Sequence, residues 1–557
     1  MMDTYDSTEI QELPLRVPFY RRKVEDFLGR NGLRLEEVDL YLGVLDAEGS
    51  LLAGGGLYRD IIKCIAVSES ARSEGYSVPL ISRLIAIAAE RGYTNVKVFT
   101  KPGNRTVFES LGFRLLASAP KAILMENGRG LETYCTYLRV HRVTGVIVMN
   151  ANPFTLGHRY LVEQAVAVIP GEARKAGLGN LTIIPVRENL SRFPYPERLE
   201  MIRQGSEGLA DVVEGSDYQI SAATFPTYFL KDLSDASETQ MRLDIDLFGR
   251  HIAPALGATV RFIGSEPADP LTARYNALMK EMLPSYGIDV VEIPRLTKAG
   301  KTITASSVRA FLDEGSFKAS SALTPPSTWP YLLAALAERA LRMELETPLK
   351  PGLVCPDSTG AHSDMDYDLM RKGIAAIRPF FPRMAQAASP EELRQLGIDA
   401  EQAMLAATGG VNTHRGAIFA LGLALYPHPI AETAACLDDG SSKRREAGIR
   451  GAMQMATEGY KTLFADWLPY YASVKADAYA LQKTLLRIMA TLDDTCVIHR
   501  VGPDRALEVK REAAALLADF DPGKLVMTCK RFAAEGISPG GAADMLALTL
   551  FMDSIFN

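Results

Sequence analysis

The sequence predicts a multidomain protein in which two α/β domains are followed by an all-α domain. Its 557 residues suggest about three or four domains. Up to residue 320, short apolar runs of strand character alternate with amphipathic segments of helical period. From Tyr331 onward the strand pattern disappears and long helical stretches follow one another. We therefore expect domains at 1–142, 143–320 and 331–557, with a Pro- and Ser-rich linker at 321–330.

The composition is that of a globular protein and argues against several classes of partner. The net charge of −6 offers no basic surface for nucleic acid. The six cysteines lie far apart without a C-x-x-C pair, which favours reduced thiols over disulfides or a zinc site. The acidic start of the chain has no apolar core of a signal peptide, and no apolar run approaches the roughly 20 residues of a membrane span. We expect a cytoplasmic protein without nucleic-acid or membrane partners.

The first domain, 1–142, places the amphipathic helix VPLISRLIAIAAERGY among the strand candidates LLAGGGLY, IIKCIAV, TNVKVFT and FRLLA. This order resembles the fold of the GCN5-related acetyltransferases, whose R/Q-x-x-G-x-G/A loop holds the pyrophosphate of an acyl-CoA. Here the loop runs from Arg72 to Ser77, and Ser77 stands where that family has Gly or Ala. Glu74 adds a negative charge beside the supposed pyrophosphate. We expect a domain that keeps the fold without using acetyl-CoA.

The second domain, 143–320, opens with a strand, a tight turn and a helix N-terminus. The apolar run Val146–Met149 is typical of a buried strand, the turn passes through Asn152, and TLGH begins a helix. Backbone N–H groups and the helix dipole bind phosphate at such a point, and Gly157 lets the anion approach closely. Thr155 and His158 add side-chain donors for phosphoryl oxygens. The alternative is that His158 only caps or packs the first helical turn.

This T-x-G-H resembles the (H/T)-x-G-H signature of the nucleotidylyltransferase superfamily. The second motif of that superfamily, I-S-x-S-x-x-R, is matched by ITASSVR at 303–309. The resemblance implies that Ser306 and Ser307 cap a helix and bind phosphate, and that Arg309 neutralises the outer phosphates of ATP. The alternative is an ordinary surface helix with a serine cap.

Further candidates lie between the two motifs. Gly264 and Glu266 follow a predicted strand, at the end where doubly wound sheets bind ligands. Lys231 follows the aromatic run FPTYF and could hold a phosphate or carboxylate, or could be a solvated surface charge.

Five segments of residues 1–320 resemble the citrate (pro-3S)-lyase ligase family: NANPFTLGHRYLVEQA, FPTYFLKDL, LDIDLFGRHIAPALG, GSEPADPLTARYN and ITASSVR. That family makes acetyl-adenylate from ATP and acetate with release of pyrophosphate. It then acetylates the thiol of the prosthetic group on the acyl-carrier subunit of citrate lyase. The resemblance implies catalytic roles for Thr155, His158, Lys231, Ser306 and Arg309. We expect the first domain to dock the prosthetic arm of the carrier.

Five loops of the all-α domain carry polar residues suited to phosphates and a metal ion. They are KPGLV, GAHSDMD, GGVNTHRG, DDT and SPGGAAD. The first contributes Lys350, and the glycine-rich loop offers phosphate donors at Gly409, Gly410, Asn412, His414 and Arg415. Carboxylates from separate helix ends suit a Mg²⁺ that bridges phosphates, and the candidates are Asp364, Asp366, Asp493 and Asp494. Taken singly, each could instead be a helix cap or a solvated charge.

These loops resemble the triphosphoribosyl-dephospho-CoA synthase family over residues 331–557. That family joins ATP to 3′-dephospho-CoA with loss of adenine, which forms the precursor of the citrate lyase prosthetic group. The resemblance implies catalysis by Asp364, Asp366 and Asp494, while Cys496 stands where that family has Asn. Three alternatives remain open. The all-α domain could serve malonate decarboxylase, the second domain could be a cofactor adenylyltransferase, or the chain could be a nucleotide-sensing assembly protein without turnover.

Overall fold

The computed structural model describes residues 9–72, 74–169, 179–188, 191–220, 225–227, 229, 233–266, 269–438 and 451–556. The chain forms two compact units, Met1–Ile303 and Thr304–Asn557. The first unit contains two large β-sheets with helices, and the described part of the second unit is helical. The fold class predicted from the sequence is therefore confirmed.

Seven strands form the first sheet: β1 (Ile10–Glu12), β2 (Leu40–Leu45), β3 (Leu51–Tyr58), β4 (Ile61–Val67), β5 (Val96–Thr100), β6 (Arg114–Ser118) and β7 (Ile123–Asn127). Their order is β1-β2-β3-β4-β5-β7-β6, and only β4 and β5 pair in parallel. The accompanying helices are α1 (Pro18–Arg30), α2 (Ser77–Glu90), α3 (Arg105–Ser110) and α4 (Gly130–Leu138). The apolar face of α2 is buried against this sheet, as its amphipathic pattern predicts.

The loop that resembles an acyl-CoA site lies just before α2. Arg72 pairs with Glu69 at 3.8 Å, and the Tyr76 hydroxyl donates to Glu74 at 3.0 Å. Ser73 lies outside the described residues. The Glu74 carboxylate therefore lies next to the helix N-terminus, where the pyrophosphate of an acyl-CoA would have to bind.

Five parallel strands form the second sheet: β8 (Val143–Met149), β9 (Gly179–Pro185), β10 (Asp211–Val212), β11 (Val260–Gly264) and β12 (Asp289–Ile293). Their order is β10-β9-β8-β11-β12. The chain builds outward from β8 to β10 and then returns to the other side of β8. The switch point of this doubly wound sheet thus lies between β8 and β11, where ligands bind outside the carboxyl ends of the strands.

The helices of this second region are α5 (Leu156–Val168), α6 (Tyr195–Gly205), α7 (Leu233–Leu247), α8 (Ala253–Leu256) and α9 (Pro270–Met282). A π-helical turn at Phe248–Ile252 joins α7 to α8. A small hairpin of β13 (Thr297–Lys298) and β14 (Lys301–Thr302) ends the first unit. Of the predicted strand DVVEGSDYQI, only Asp211–Val212 pairs with the sheet, and it forms the edge strand beside β9.

The second unit contains the helices α10 (Ala305–Glu314), α11 (Phe317–Ser321), α12 (Trp329–Glu346), α13 (Tyr367–Ile377), α14 (Phe381–Met384), α15 (Pro390–Ala407), α16 (Arg415–Leu425), α17 (Ile430–Leu437), α18 (Ala452–Thr457), α19 (Leu468–Val474), α20 (Ala480–Thr491), α21 (Thr495–Val501), α22 (Pro503–Ala518), α23 (Pro522–Ala534) and α24 (Gly540–Phe556). The last of them is apolar on every side and buried from Met545 to Ser554. It packs against α12, α16 and α20 and forms the centre of the bundle. No helix in the described residues is long and apolar enough to cross a membrane.

The predicted linker at 321–330 is folded into this helical unit. Residues Pro326–Thr328 form a 3₁₀ turn, Thr328 is buried, and the rings of Phe317 and Trp329 lie 6.1 Å apart. The Arg339 Nε donates to the carbonyl of Asp313 at 3.1 Å, which joins α10 to α12. Pro326 and Pro330 therefore lie in the first turn of a helical segment, where proline is favoured, and Pro325 is extended just before them.

We expect a fragment of residues 304–557 to be more stable than a fragment of residues 331–557, because the longer one keeps the packing of α10 and α11 on α12. Circular dichroism should show the shorter fragment melting lower by at least about 4 °C, the shift that roughly 1–2 kcal/mol produces at this size. Arg339→Ala should destabilise the longer fragment more than the shorter, which lacks Asp313. Equal melting temperatures would show that α10 and α11 contribute nothing to the unit.

Candidate functional site

The first candidate site lies where β8 ends, at the switch point of the five-stranded sheet. The chain leaves β8 at Met149, turns, and begins α5 with Thr155 as its N-cap. The backbone N–H of His158 donates to Thr155 Oγ1 at 3.3 Å, and the N–H of Thr155 donates to His158 Nδ1 at 3.0 Å. This is a capping box in which histidine takes the place of the usual Glu or Gln.

The capping box determines the protonation state of His158. Because Nδ1 accepts the Thr155 N–H, the neutral ring carries its own proton on Nε2. Burial, with a contribution from the nearby Arg295 charge, lowers the pKa of His158 to about 4. At neutral pH the imidazole is thus an uncharged donor through Nε2–H, suited to a phosphoryl oxygen. From the sequence, capping the helix and donating to a phosphate were alternative roles for His158. The ring can do both, because Nδ1 takes part in the cap and Nε2–H remains a donor.

A buried arginine that the sequence pattern did not single out holds this turn in place. Arg198 on α6 donates to the carbonyls of Asn150 at 2.8 Å, Val186 at 2.9 Å and Glu188 at 2.8 Å. Its Nε donates to the carbonyl of Phe193 at 3.1 Å. The residues that follow β8 and β9 are thereby tied together. These partners lie up to 48 positions away in the chain, so no local pattern points to them.

The ends of β11 and β12 bring a charged pair to the same edge of the sheet. Glu266 follows β11 and forms an ion pair with Arg295, which follows β12. The Arg295 Nε also donates to the carbonyl of Ser265 at 2.8 Å. Nothing lies within 4 Å of where a Cβ of Gly264 would stand, so this position leaves room for a ligand. Arg295 stands at the end of the last strand, as the sequence indicates, and lies close enough to affect His158, which makes it a further phosphate-binding candidate.

Three other predicted residues have different surroundings. A Cβ at Gly157 would lie 3.2 Å from the carbonyl oxygen of Ile303, so tight backbone packing also favours glycine here. Asn152 Oδ1 accepts the N–H of Phe193 at 3.2 Å and is engaged within the turn. Lys231 lies outside the described residues.

The serine-rich motif begins α10, and its cap differs from the predicted one. Thr304, not Ser306 or Ser307, is the N-cap, because its Oγ1 accepts the N–H of Ser307 at 3.1 Å. The hydroxyls of Ser306 and Ser307 lie 2.9 and 2.8 Å from the same Thr304 oxygen. Arg309 follows one turn into the helix, and the whole motif from Thr304 onward belongs to the second compact unit. Both serines therefore lie in the first turn, beside its free backbone N–H groups.

The neutral, buried His158 should make the first unit sensitive to acid. Its pKa is 6.5 in the unfolded reference and about 4 in the folded protein. Between these values the unfolded state binds one more proton, so the free energy of unfolding falls as the pH falls. We expect His158→Asn, which cannot titrate, to remove up to about 3 kcal/mol of this loss between pH 7 and 4. Urea unfolding at several pH values measures it, and identical pH slopes would contradict it.

The second candidate site is a cavity of about 620 Å³ inside the helical unit. Its polar wall includes Asn412 and Arg415 from the glycine-rich loop and α16, with Asp493, Asp494 and Asp544 from the starts of α21 and α24. Arg415 Nε donates to Glu401, another lining residue, at 2.7 Å. The remaining wall is largely apolar. A mostly apolar cavity with a few convergent polar groups is typical of a small-molecule site.

Hydrogen bonds join the predicted loops around this cavity. His362 Nε2 lies 2.8 Å from the Ser538 hydroxyl, and its Nδ1 lies 3.2 Å from Arg500. The N–H of Ala542 donates to Asp494 Oδ2 at 2.8 Å. The segments GAHSDMD, DDT and SPGGAAD, which lie far apart in the chain, thus meet as the sequence led us to expect.

Two carboxylates line the cavity together, the buried Asp494 and the half-buried Asp544. Asp494 caps α21 by accepting the N–H groups of Cys496 at 2.8 Å and Val497 at 3.3 Å. Burial raises the pKa of Asp494. Burial, then the charges of Asp494 and Glu344, raise the pKa of Asp544 well above its usual range. A Cβ at Gly416 would overlap the Asp544 carboxylate, so the absence of a side chain at Gly416 makes room for that carboxylate. Two carboxylates held this close relieve their repulsion by taking up a proton or a cation.

Four of the predicted phosphate ligands have structural roles instead. Lys350 is buried in an ion pair with Glu344. His414 is buried beside the Thr413 hydroxyl, and burial lowers its pKa to about 3. Gly409 and Gly410 adopt left-handed conformations, with φ of 67° and 93°, that end α15. Only Asn412 and Arg415 of the predicted set from this loop line the cavity.

Of the four aspartates predicted to bind a metal ion together, two lie at the cavity. Asp493 and Asp494 line the cavity, whereas Asp364 and Asp366 are not among its lining residues. Asp366 caps α13 by accepting the N–H of Leu369 at 2.8 Å, and the Asp364 side chain is 61% exposed. Within the described ranges, no three His, Cys, Asp or Glu side chains are grouped to hold a metal. Asp544, rather than Asp364 or Asp366, is the carboxylate that lines the cavity beside Asp494. In the sequence, its position one turn into the helix that follows SPGG could have indicated this.

Comparison with known proteins agrees with this division. The family described as "Citrate lyase ligase C-terminal domain" matches residues 144–332. The family described as "ATP:dephospho-CoA triphosphoribosyl transferase" matches residues 330–429 and 427–557.

Curated relatives cover each part. The citrate (pro-3S)-lyase ligase of Klebsiella pneumoniae is 39% identical over 326 residues, which make up 56% of this chain and 92% of the relative. That of Haemophilus influenzae is 40% identical and covers 58% of this chain and 96% of the relative. The probable 2-(5''-triphosphoribosyl)-3'-dephosphocoenzyme-A synthase of Pseudomonas putida is 40% identical over 263 residues, 40% of this chain and 93% of the relative.

Among solved structures, TmcAL of Thermotoga maritima bound with alpha-thio ATP covers 68% of this chain and 94% of its own, with 13% identity. Its TM-score of 0.22 is too low to carry a structural conclusion. The sequence identities and the coverage of each relative nevertheless agree with the two resemblances noted in the motifs. The chain therefore belongs to the citrate (pro-3S)-lyase ligase family in its N-terminal part and to the ATP:dephospho-CoA triphosphoribosyl transferase family in its C-terminal part, as one bifunctional enzyme.

Proposed function

We propose that the N-terminal part activates acetate with ATP and passes the acetyl group to the prosthetic-group thiol of the citrate lyase acyl-carrier subunit. The observation that supports this most is the capping box at the switch point of a doubly wound sheet. It places a neutral Nε2–H donor, a helix N-terminus and Arg295 around one edge. These are groups that stabilise charge building on a phosphoryl group in transfer.

In the proposed reaction an acetate oxygen attacks the α-phosphorus of ATP, and the bond to pyrophosphate breaks. His158 donates to a phosphoryl oxygen, and the N–H groups at the start of α5 bind another. The match of the second motif to the superfamily implies that its serine hydroxyls and Arg309 bind phosphate. Acetyl-adenylate then reacts with the thiol, which forms the thioester, releases AMP and gives up the thiol proton. Positioning and charge stabilisation are sufficient for the first step.

We further propose that the C-terminal part makes 2'-(5''-triphosphoribosyl)-3'-dephospho-CoA from ATP and 3'-dephospho-CoA. The bond from the ribose C1' to adenine breaks, a hydroxyl oxygen of the acceptor bonds to C1', and the hydroxyl proton leaves as adenine gains one. Arg415 and Asn412 lie where they can donate to the triphosphate. The carboxylates of Asp493, Asp494 and Asp544 can stabilise positive charge on the ribosyl group.

The residues of this cavity also fit a Mg²⁺ ion. Magnesium is held by one or two carboxylates together with substrate phosphates, so a group of three protein ligands is not required. Asp494 and Asp544 are the pair that would hold it, because both carboxylates line the cavity and the charge of one acts on the other. When bound, the ion neutralises charge on the triphosphate. Asp493 is engaged differently, since Lys510 Nζ lies 2.7 Å from its Oδ1.

Product analysis tests both proposals. The full chain should release pyrophosphate and AMP from ATP in a reaction that needs acetate and the carrier with its prosthetic group. It should separately release adenine when given ATP with 3'-dephospho-CoA, and the new product should have the mass of the triphosphoribosyl adduct. Acetylation of a malonate decarboxylase carrier but not the citrate lyase carrier would redirect the proposal. If the full chain releases no pyrophosphate and no adenine, the proposal is refuted.

A further inference from the structure

A second cavity, of about 310 Å³, lies between α20, α21 and α22 of the helical unit. We call it the side cavity, and we call the 620 Å³ cavity described above the main cavity. Leu492, Asp493 and Asp494 line both of them. A ligand in the side cavity and a ligand in the main cavity would therefore meet at this common wall.

The wall of the side cavity is mostly apolar. Its apolar residues are Met489, Val497, Ile498, Ala506, Leu507 and Val509. Leu507 is 49% exposed, whereas Val509 on the same helix is buried. Exposed apolar surface in a concave place favours a ligand that has an apolar face of its own. The heterocyclic ring of a nucleoside has such a face.

The charged residues of the side cavity are mostly acidic. Asp493, Asp494 and Asp504 contribute carboxylates, and Lys510 contributes an ammonium group. The Lys510 Nζ lies 2.7 Å from Asp493 Oδ1, so its charge is already paired. The cavity would thus repel a phosphate, whereas its carboxylate oxygens can accept hydrogen bonds from hydroxyl groups. This chemistry fits the uncharged nucleoside portion of a ligand and not a diphosphate.

Of the two carboxylates on the common wall, Asp493 is the one that a ligand can reach. Its side chain is 38% exposed, while Asp494 is buried and accepts backbone N–H groups of α21 and α24. Lys510 holds Oδ1 of Asp493, and among the described residues no hydrogen bond engages Oδ2. A hydroxyl in the side cavity can therefore donate to Oδ2 at the common wall.

We propose that the side cavity binds the adenosine end of 3'-dephospho-CoA, and that Asp493 accepts the hydrogen bond and then the proton of its reacting 2'-hydroxyl. This assignment rests on the proposed transferase function. The common wall brings the hydroxyl to the ribosyl carbon of ATP in the main cavity. The hydroxyl oxygen bonds to C1', the bond from C1' to adenine breaks, and adenine gains a proton from water. The hydroxyl proton goes to the Asp493 carboxylate, which acts as general base.

The first test replaces Leu507 with aspartate in the full chain. The KM for 3'-dephospho-CoA in adenine release should rise by at least about 10-fold, because a charge replaces an apolar contact with the adenine ring. The KM for ATP should not change. Met527→Asp is the matched control, since Met527 is an exposed apolar residue on α23 that lines neither cavity. It should alter neither KM.

Fragments of the acceptor show which of its ends the side cavity binds. Adenosine 5'-monophosphate should compete with 3'-dephospho-CoA, and Leu507→Asp should weaken this competition by about the same factor as it raises the KM. Pantetheine should inhibit wild type and variant equally. Weaker inhibition by pantetheine in place of the nucleotide, or an unchanged KM for 3'-dephospho-CoA in Leu507→Asp, would overturn the assignment.

The role of Asp493 has its own readout. Asp493→Asn should lower kcat for adenine release by about 10²–10⁴-fold, the usual contribution of a general base, and an unchanged kcat would exclude that role. If wild type binds 3'-dephospho-CoA but releases no adenine, the proposed function fails. Calorimetric binding of 3'-dephospho-CoA and of adenosine 5'-monophosphate to wild type and Leu507→Asp then still decides whether the side cavity binds the adenosine end.

Discussion

Replacing His158 with asparagine is expected to reduce acetate-dependent pyrophosphate release by about 10²–10³-fold, the effect of losing one donor to a developing oxyanion. Asparagine can keep the cap, because its Oδ1 can accept the Thr155 N–H that Nδ1 accepts now. It removes the Nε2–H donor. The substitution therefore separates the capping role that the structure shows from the proposed role as a donor to the substrate.

Initial rates of pyrophosphate release with saturating ATP and acetate measure the effect, and the melting temperature shows whether the cap has survived. His251→Asn is a matched control, since this histidine is half-buried and bonds to the carbonyl of Leu116 away from the capping box. It should keep full activity. Wild-type rates in His158→Asn would show that His158 only caps the helix. Adenine release should be unchanged in both variants.

Replacing Asp544 with asparagine is expected to lower adenine release by at least about 10²-fold while leaving acetate-dependent pyrophosphate release unchanged. The amide has nearly the same shape, and its oxygen can still accept the N–H of Ala417, which now bonds to the carboxylate. Only the charge is lost. In a buried cavity that charge acts strongly on a positively charged ribosyl group or a bound cation.

Asp553→Asn is the matched control for this experiment. Asp553 lies on the same helix, is also buried, and is paired with Lys475 rather than facing the cavity. Its substitution should lower the melting temperature and leave adenine release intact. Normal adenine release in Asp544→Asn would remove Asp544 from the site. Loss of pyrophosphate release in the same variant would show that the two reactions are not independent.

Features that depend on local sequence could be predicted well. The apolar run before TLGH, the helical period after it and the capping residues all act within one turn of chain, and the structure shows the strand, the turn and the cap at Thr155. The cap of α10 was misplaced by two or three residues, because Thr304, Ser306 and Ser307 are all good capping residues. Only the backbone angles distinguish them.

Residues whose partners lie far away in the chain could not be predicted. Arg198 looks like any arginine on an amphipathic helix, yet it is fully buried and bonds to carbonyls beside two strands. Lys350 and His414 have the chemistry of phosphate ligands, but burial makes one an ion-pair partner and the other a neutral core residue. Burial is a property of the packed chain, and a single sequence does not display it.

The sequence by itself determined the fold classes and both family memberships, because strand and helix periods and short motifs are local patterns. The tertiary structure alone decided which carboxylates share a cavity. It placed Asp494 and Asp544 together on the cavity wall, left Asp364 exposed and used Asp366 to cap a helix. The physical reason is that the pKa of a carboxylate and the pairing of a hydroxyl depend on solvent exclusion and on neighbours contributed by distant segments.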